Sequence, residues 1–523
     1  MRFARHFTRA DVETLFSDDF RMPEGFLFGV SNAAFQVEGG FNGPGEPLNN
    51  WVAFERSGRV ERSGEANRFW TEYPEEVELA KNMGCGGFRM SIEWARVQPG
   101  SSARPGVIPQ FDEEALEAYS DMIAAIMGGG MEPVVTLHHF THPFWLGTDA
   151  WLEPSCLELF RDYVEKAVSS INTLLVEKHS LRPVRYYITI NEPNGLALIT
   201  YLSKYMPHGK GGLRNALKAL NNLIDGHCRA YDTIHAVYAD KGWEDPMVTY
   251  NTINNSIYEG DKIVTDLLNA RRNGITRNCL PAYIDNGREA WNAEIVKCPE
   301  VESVPKVNLR LEQAAAGLAK RLFTLDRFEV ALNAIYSSGK PDKLDYLAVD
   351  FYDPFPRNLI RFPDFEDLRE ARFRFNAEHW EWVQNPGAMY HFLKAEMINA
   401  EGLSLLIAES GMSHRMHQGK VSARKDGATR DVFLQSYIYE AMRAVKDGVP
   451  LFGYFYWSMV DNYEWGSYEP RFGLFSMDRS RKPVKRMETD VWGTDAAAAY
   501  GDIISALKSG EPERIADAFT RDR

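Results

Sequence analysis

The amino-acid sequence predicts an α/β fold, a single (β/α)8 TIM barrel occupying the whole chain, 1–523, on three observations. Eight short apolar runs recur along the chain, helical patterns separate them, and the runs are mostly continuous rather than alternating. Continuous apolar runs are what strands buried on both faces of a parallel sheet require. Length alone would allow roughly three or four domains, but such barrels often exceed ~250 residues as one unit. No linker, repeat or low-complexity tract divides the sequence.

The runs are FLFGVS (26–31), GFRMSI (87–92), EPVVTL (132–137), RYYITI (185–190), MVTYN (247–251), LDYLAV (344–349), LSLLIA (403–408) and LFGYFYW (451–457). Their spacing leaves room for a helix in every connection, with the longest insertion between Asn251 and Leu344. In EYPEEVELAKNMG, Pro74, Glu75 and Glu76 suit a first turn, Val77, Ala80 and Met83 share a face, and Gly84 sits where a C-cap belongs. Helical periods also cover 308–339 and 431–448, each running to a glycine. The barrel is expected over about 25–480, with elaborated loops after its strands. Residues 481–523 form a C-terminal helical extension, and its end, PERIADAFTRDR, is the stretch expected to fray.

Composition narrows the function classes. Lys+Arg of 59 against Asp+Glu of 73 gives a net charge of −14, a field that repels a phosphate backbone, so no nucleic-acid partner is expected. No stretch of about 18 apolar residues occurs, so no membrane partner is expected either. Cys85, Cys156, Cys228, Cys279 and Cys298 are scattered, odd in number and free of C-x-x-C pairing, against a disulfide framework or structural zinc. The start shows no secretory h-region, which with the cysteines predicts a reduced, cytoplasmic protein. Homo-oligomer formation stays open. Aromatic residues reach 12%, which suits a site that stacks sugar faces and equally suits a large core.

In such a barrel the active site lies at the C-terminal ends of the strands. The residues just past the runs are Asn32 to Glu38, Arg89, His138 and His139, Asn191 and Glu192, Asn251, Tyr352, Glu409, and Trp457 with Asp461 to Trp465. Two carboxyl groups, from the fourth and seventh strands, would face each other in this company. That is the equipment of glycoside hydrolysis: one carboxyl protonated to release the leaving oxygen, the other ionised to attack or to activate water. A lone strand-end glutamate is more simply a salt-bridged barrel residue; the pair with these neighbours is not.

These segments resemble glycoside hydrolase family 1, the β-glucosidase family. TINEP (189–193) is similar to its T-x-N-E-P acid/base motif, FLFGVSNAAFQVEGG (26–40) to its opening strand, and VTLHHF (135–140) to its V-T-L-x-H-W segment. FRMSIEWARVQP (88–99) resembles its second strand and following helix, and YFYWSMVDNYEWGSYEPRFGLFSMD (454–478) its W-S-x-x-D-N-F-E-W … R-F-G-L segment. The resemblance implies Glu192 as general acid/base and Glu409 as nucleophile of a retaining double displacement. It implies Asn191 on the sugar 2-OH, and Arg89 and Tyr352 orienting the nucleophile and holding its charge. Gln36, His139, Trp457, Glu464 and Trp465 fall on glycone-binding positions. Arg89 is expected to depress the pKa of Glu409, while Glu192 needs a raised one. No metal and no organic cofactor is implied; the expected partner is a small β-glycoside or oligosaccharide.

Several positions depart from the family pattern. IAESG (407–411) stands for I-T-E-N-G, so Ala408 and Ser410 flank the nucleophile. Asp350-Phe351-Tyr352 stands for N-Y-Y, Phe140 replaces a Trp, and SYEPRFG is a shortened loop. Asp350 either adds charge beside Glu409 or pairs with an arginine, and the pairing is the favoured expectation. Family members acting on 6-phospho-sugars carry Ser near the place of Glu464, so the carboxyl here points to a neutral hexoside: glucoside first, then galactoside or fucoside. A transglycosidase using the same intermediate and a catalytically inactive sugar-binding protein are the alternatives. The run His138-His139-x-x-His142 lacks the helix spacing and second ligand set of a metal site.

Overall fold

The computed structural model describes residues 3–17, 20–100, 107–203, 205–302, 306–355 and 377–521, with the side chains of 302–311 left aside. Its main sheet is parallel, with strands β1 (Leu27–Ser31), β2 (Gly87–Ser91), β3 (Glu132–Thr136), β4 (Tyr186–Ile188), β5 (Met247–Thr249), β6 (Asn251–Ile253), β7 (Leu347–Phe351), β8 (Leu405–Ser410) and β11 (Leu451–Trp457). Hydrogen bonding runs β5-β4-β3-β2-β1-β11-β8-β7-β6. Because β5 and β6 are two halves of one chain segment broken only at Tyr250, the sheet closes on itself as an eight-stranded α/β barrel. Each expected run carries one strand position, and the fifth is split. Two short strands, β9 (His414–His417) and β10 (Lys420–Ser422), form a hairpin after β8.

Inside the barrel, Val134, Ile188, Tyr346, Ala348, Leu406, Ala408 and Phe455 make a small buried cluster, while the outward faces of the strands join the large core under the helices. Phe455 fills this interior by taking the space two glycines leave: a Cβ on Gly29 or Gly87 would come within 2.6 or 2.5 Å of its ring. Side-chain alternation then sets what reaches the pocket above. Tyr346, just before β7, and Ala348 and Asp350 on it share the inward side. On β8, Leu406 and Ala408 face inward, so strict alternation would turn Glu409 out toward the helices. The register prevents this. Val349 pairs with Ile407 but Asp350 pairs with Glu409, leaving Ala408 as an extra residue, and the pairing to β11 shifts at the same place. A bulge at a barrel rim re-aims the next side chain, here the Glu409 carboxyl.

Some boundaries differ from expectation. The helix expected to open at Pro74 runs Phe69–Asn82, so the proline lies inside it. Burial of Phe69 and Val77 on the core anchors turns that propensity would end. The period over 308–339 resolves into helices Lys306–Leu322 and Glu329–Ser337 with a 3-10 turn, Leu325–Phe328, between them. The tail expected to fray is a helix, Pro512–Thr520. It buries Ile515, Ala516 and Phe519, and its Asp517 meets Arg9 at 2.6 Å. The preceding helix, Ala496–Ser509, is tied to the barrel by the Tyr500 hydroxyl, which donates to the Gly29 carbonyl at 2.9 Å. Among the described residues no helix is long and apolar enough to cross a membrane.

Candidate active site

Glu192 follows β4 at the N-cap of helix Pro193–Tyr201, with φ +40. A non-glycine residue there is strained by roughly 1–3 kcal/mol, a cost borne where geometry must be fixed. The helix leaves room for its carboxyl: a Cβ on Gly195 would sit 2.9 Å from Glu192 Oε2. Across the pocket, both oxygens of Glu409 are engaged. Arg89 Nη1 donates to Oε1, and the Tyr352 hydroxyl donates to Oε2 at 2.8 Å. Arg89 is fully buried and spends its other nitrogens on Thr136 Oγ1 (3.0 Å) and Asn191 Oδ1 (2.5 Å). Asn251 Nδ2 also donates to Asn191 Oδ1, at 2.8 Å, so the Asn191 amide nitrogen is oriented by two donors on its oxygen.

One oxygen each from Glu192, Asp350 and Glu409 lies within 4.8 Å of the others. Three buried charges at this spacing would need protons or cations, and Arg89 supplies one cation. Asp350 corrects an expectation. It is fully buried, accepts from Asn251 Nδ2 and lies with one oxygen within 4.8 Å of the Glu192 carboxyl rather than on an arginine, because the Arg89 nitrogens are already committed.

The electrostatics follow from burial. Glu192 is pushed up to about 8, first by burial and then by the charge on Glu409. Asp350 is lifted well above the carboxylate range by burial and again by Glu409. Burial also raises Glu409, and the opposing pull of Arg89 and Tyr352 does not fully offset it, so the expected net depression is not met. The order of ionisation is nonetheless set. Glu409 alone among the three holds the guanidinium, so it ionises first, and its charge holds protons on the other two.

The remaining expected residues gather on one side. The His139 ring stacks on both Trp457 and Trp465, centroids 5.8 and 5.9 Å away and nearly parallel. Burial, then Arg89, holds its pKa well below normal, so it is a neutral ring. The Glu464 carboxyl lies beside the Gln36 and Trp457 side chains, and burial and then Glu409 push it up to about 8. Gln36 Oε1 and Glu464 Oε2 are buried with no partner among the described residues, polar atoms a sugar's hydroxyls would satisfy. His138 and His142 do not converge: one accepts from Trp151 Nε1 at 3.2 Å and the other bonds the Gly147 carbonyl at 2.9 Å. Sequence reasoning gave no site role to Asn251, although its place at a strand end was visible. It also passed over Trp382, which packs 5.3 Å from Tyr352; an irregular loop carries no period that would flag it.

Known proteins resemble this chain over most of its length. The sequence model described as glycosyl hydrolase family 1 matches residues 18–267 and 362–503. Beta-glucosidase A of Thermotoga maritima is 25% identical over 495 residues, 92% of this chain and 98% of the relative. The bifunctional beta-D-glucosidase/beta-D-fucosidase of Bifidobacterium breve is 25% identical over 499 residues, 90% and 96% of the two chains. In fold, the chain is similar to the beta-glycosidase from Pyrococcus horikoshii (TM-score 0.63, 24% identity, covering 93% and 96%). It is similar too to the family 1 β-glucosidase from T. maritima (TM-score 0.64, 22% identity, covering 94% and 99%). Fold and relatives together define a barrel glycoside hydrolase. The chain belongs to glycosyl hydrolase family 1.

Proposed function

We propose that the protein is a retaining β-glycosidase acting on terminal β-linked neutral hexosides, β-glucosides first and β-galactosides or β-fucosides next. The observation that carries the reading is the approach of Glu192 and Glu409, with one oxygen of each within 4.8 Å. Inverting enzymes keep their carboxyls about 6.5–9.5 Å apart to admit water, whereas retaining ones hold them about 5–5.5 Å apart.

In this reading Glu409, ionised against Arg89, attacks the anomeric carbon as Glu192 gives its proton to the leaving oxygen. The C1–oxygen bond breaks and a glycosyl ester on Glu409 forms. Glu409 has then lost its charge, which lowers the cost of charge on Glu192. Glu192 takes a proton from water, the water oxygen bonds C1, and the ester is released with net retention. Asn191, its oxygen held by Arg89 and Asn251, has N–H groups left for the sugar 2-OH. The neutral-hexose preference rests on Glu464, which offers hydrogen bonds to hydroxyls but no positive charge to a phosphate. The two activities in the name of the B. breve relative support the glucoside and fucoside pair.

The test is nitrophenol release from nitrophenyl β-glucoside, galactoside, fucoside, xyloside and 6-phosphoglucoside, with Glu409→Gln and Glu192→Gln as controls. Turnover of neutral β-hexosides, abolished in Glu409→Gln, is expected. Preference for the phosphorylated sugar, or turnover that survives Glu409→Gln, would overturn the reading.

A further inference from the structure

Strand alternation brings Asp350 into the barrel, and the bulge at Ala408 brings Glu409 beside it as its register partner. Asp350 is therefore a third carboxyl inside the space where two suffice for the reaction. The groups that face it come from both neighbouring strands and from across the barrel: Glu409 on β8, Asn251 on β6, Arg89 on β2, Glu192 after β4 and Tyr352 beyond its own strand. Only Arg89 among these is a cation, and its guanidinium is bonded to Glu409, Asn191 and Thr136.

Hydrogen-bond geometry says where the protons are. Asp350 Oδ2 accepts from the Asn251 amide. Its other oxygen, Oδ1, is buried and no donor among the described residues reaches it, while an oxygen of the Glu192 carboxyl lies within 4.8 Å of Asp350. Two carboxyls cannot bond each other unless a proton sits between them. Arg89 balances one charge, which Glu409 carries, so a second buried negative charge would be uncompensated.

We propose that Asp350 is a positioning residue for the acid/base, held as a neutral carboxylic acid whose O–H bonds Glu192. The proposal rests on the functional reading above. When Glu192 passes its proton to the leaving oxygen, the Asp350 O–H donates to the carboxylate left behind; Asp350 keeps its proton throughout, and Glu192 is reprotonated by the incoming water. Both carboxyls are raised by burial and by the charge of Glu409, in keeping with two retained protons. The amide expected at this place from the family pattern would donate in the same direction through N–H. Asp350 does so only while protonated, which makes the donor in this chain dependent on pH.

Asp350→Asn tests this, because it keeps the shape and a donor but removes the titratable proton. Profiles of kcat/KM against pH are measured for both proteins with a chelator present, so that no divalent ion supplies charge. A carboxylic O–H stabilises the Glu192 carboxylate better than an amide N–H does. The alkaline limb of the variant is therefore expected about half a pH unit or more above that of the wild type. A limb that moves down would mean that Asp350 is an anion in the resting enzyme, and one that stays in place would mean that its proton is not linked to Glu192; either overturns the proposal. A second measurement needs no substrate: the infrared C=O band of protonated carboxyls at neutral pH should lose one group in Asp350→Asn, and no loss contradicts it. If no β-glycoside is turned over at all, the functional reading fails while the infrared comparison still decides the state of Asp350.

Discussion

The Tyr352 hydroxyl donates to Glu409 Oε2 at 2.8 Å, so the nucleophile is held at one oxygen by a phenol and at the other by Arg89. The bond favours the charged carboxylate. Tyr352→Phe removes it, and Glu409 then ionises at higher pH. The acidic limb of the kcat/KM profile should move up, and kcat should fall about 10- to 100-fold from the lost orientation. A profile with an unmoved acidic limb would deny Tyr352 this role.

Arg89 is buried and bonds three different strand ends. Arg89→Met leaves Glu409 without the cation that holds it, so that carboxyl takes a proton and cannot attack. Activity should drop at least about 1,000-fold, and stability by roughly 3–5 kcal/mol, the cost of breaking a buried ion pair from one side. Thermal melts beside activity measurements separate the two effects. A well-folded Arg89→Met enzyme with near-normal turnover would refute the electrostatic account.

Gly195 lies on the first turn of the helix that Glu192 caps, and a Cβ there would press on Glu192 Oε2 at 2.9 Å. Alanine is the better helix former by about 1 kcal/mol. Gly195→Ala should therefore leave melting temperature unchanged or raised while kcat/KM for substrates with poor leaving groups falls about tenfold or more, since the acid is displaced. Equal loss on activated and unactivated leaving groups would point to a general distortion instead.

Glu192 carries an energetic penalty as well as a role. Its pKa is raised from an ordinary 4.5 to about 8 in the folded protein. The unfolded chain releases this proton as pH rises past the ordinary value, and the folded protein does not release it until the raised one. Native stability is thus unaffected below that window, falls through it and is flat above it. Glu192→Gln removes the penalty: the variant should match the wild type near pH 4.5 and exceed it by up to about 4 kcal/mol near pH 8. Denaturant unfolding at the two pH values checks this; a variant less stable at the higher pH would contradict it.

Much of the fold was legible because parallel-barrel strands are apolar on both faces, so eight runs stand out without any period. The candidate site was legible because a barrel places chemistry at strand ends: reading there returned Asn191, Glu192, Tyr352 and Glu409, while Arg89 stands inside the second run. What escaped was set by register. Nothing in LSLLIAES tells that Ala408 is an extra residue against both neighbours, yet that bulge turns Glu409 inward and makes it the partner of Asp350. Asp350 was expected to find an arginine because sequence shows which charges exist, not which nitrogens are already spent. The helix at 512–520 was missed since its short apolar face gains stability by packing on the helices Arg9–Leu15, Arg430–Lys446 and Ala496–Ser509, the first two distant in sequence.

The most direct test of the central claim is to trap the intermediate. The enzyme is incubated with a 2-deoxy-2-fluoro β-glucoside bearing an activated leaving group, then digested and mapped by mass spectrometry. The account predicts one sugar per chain, on Glu409, formed as activity is lost. A label on Glu192 or Asp350, or inactivation with no covalent sugar, would contradict it.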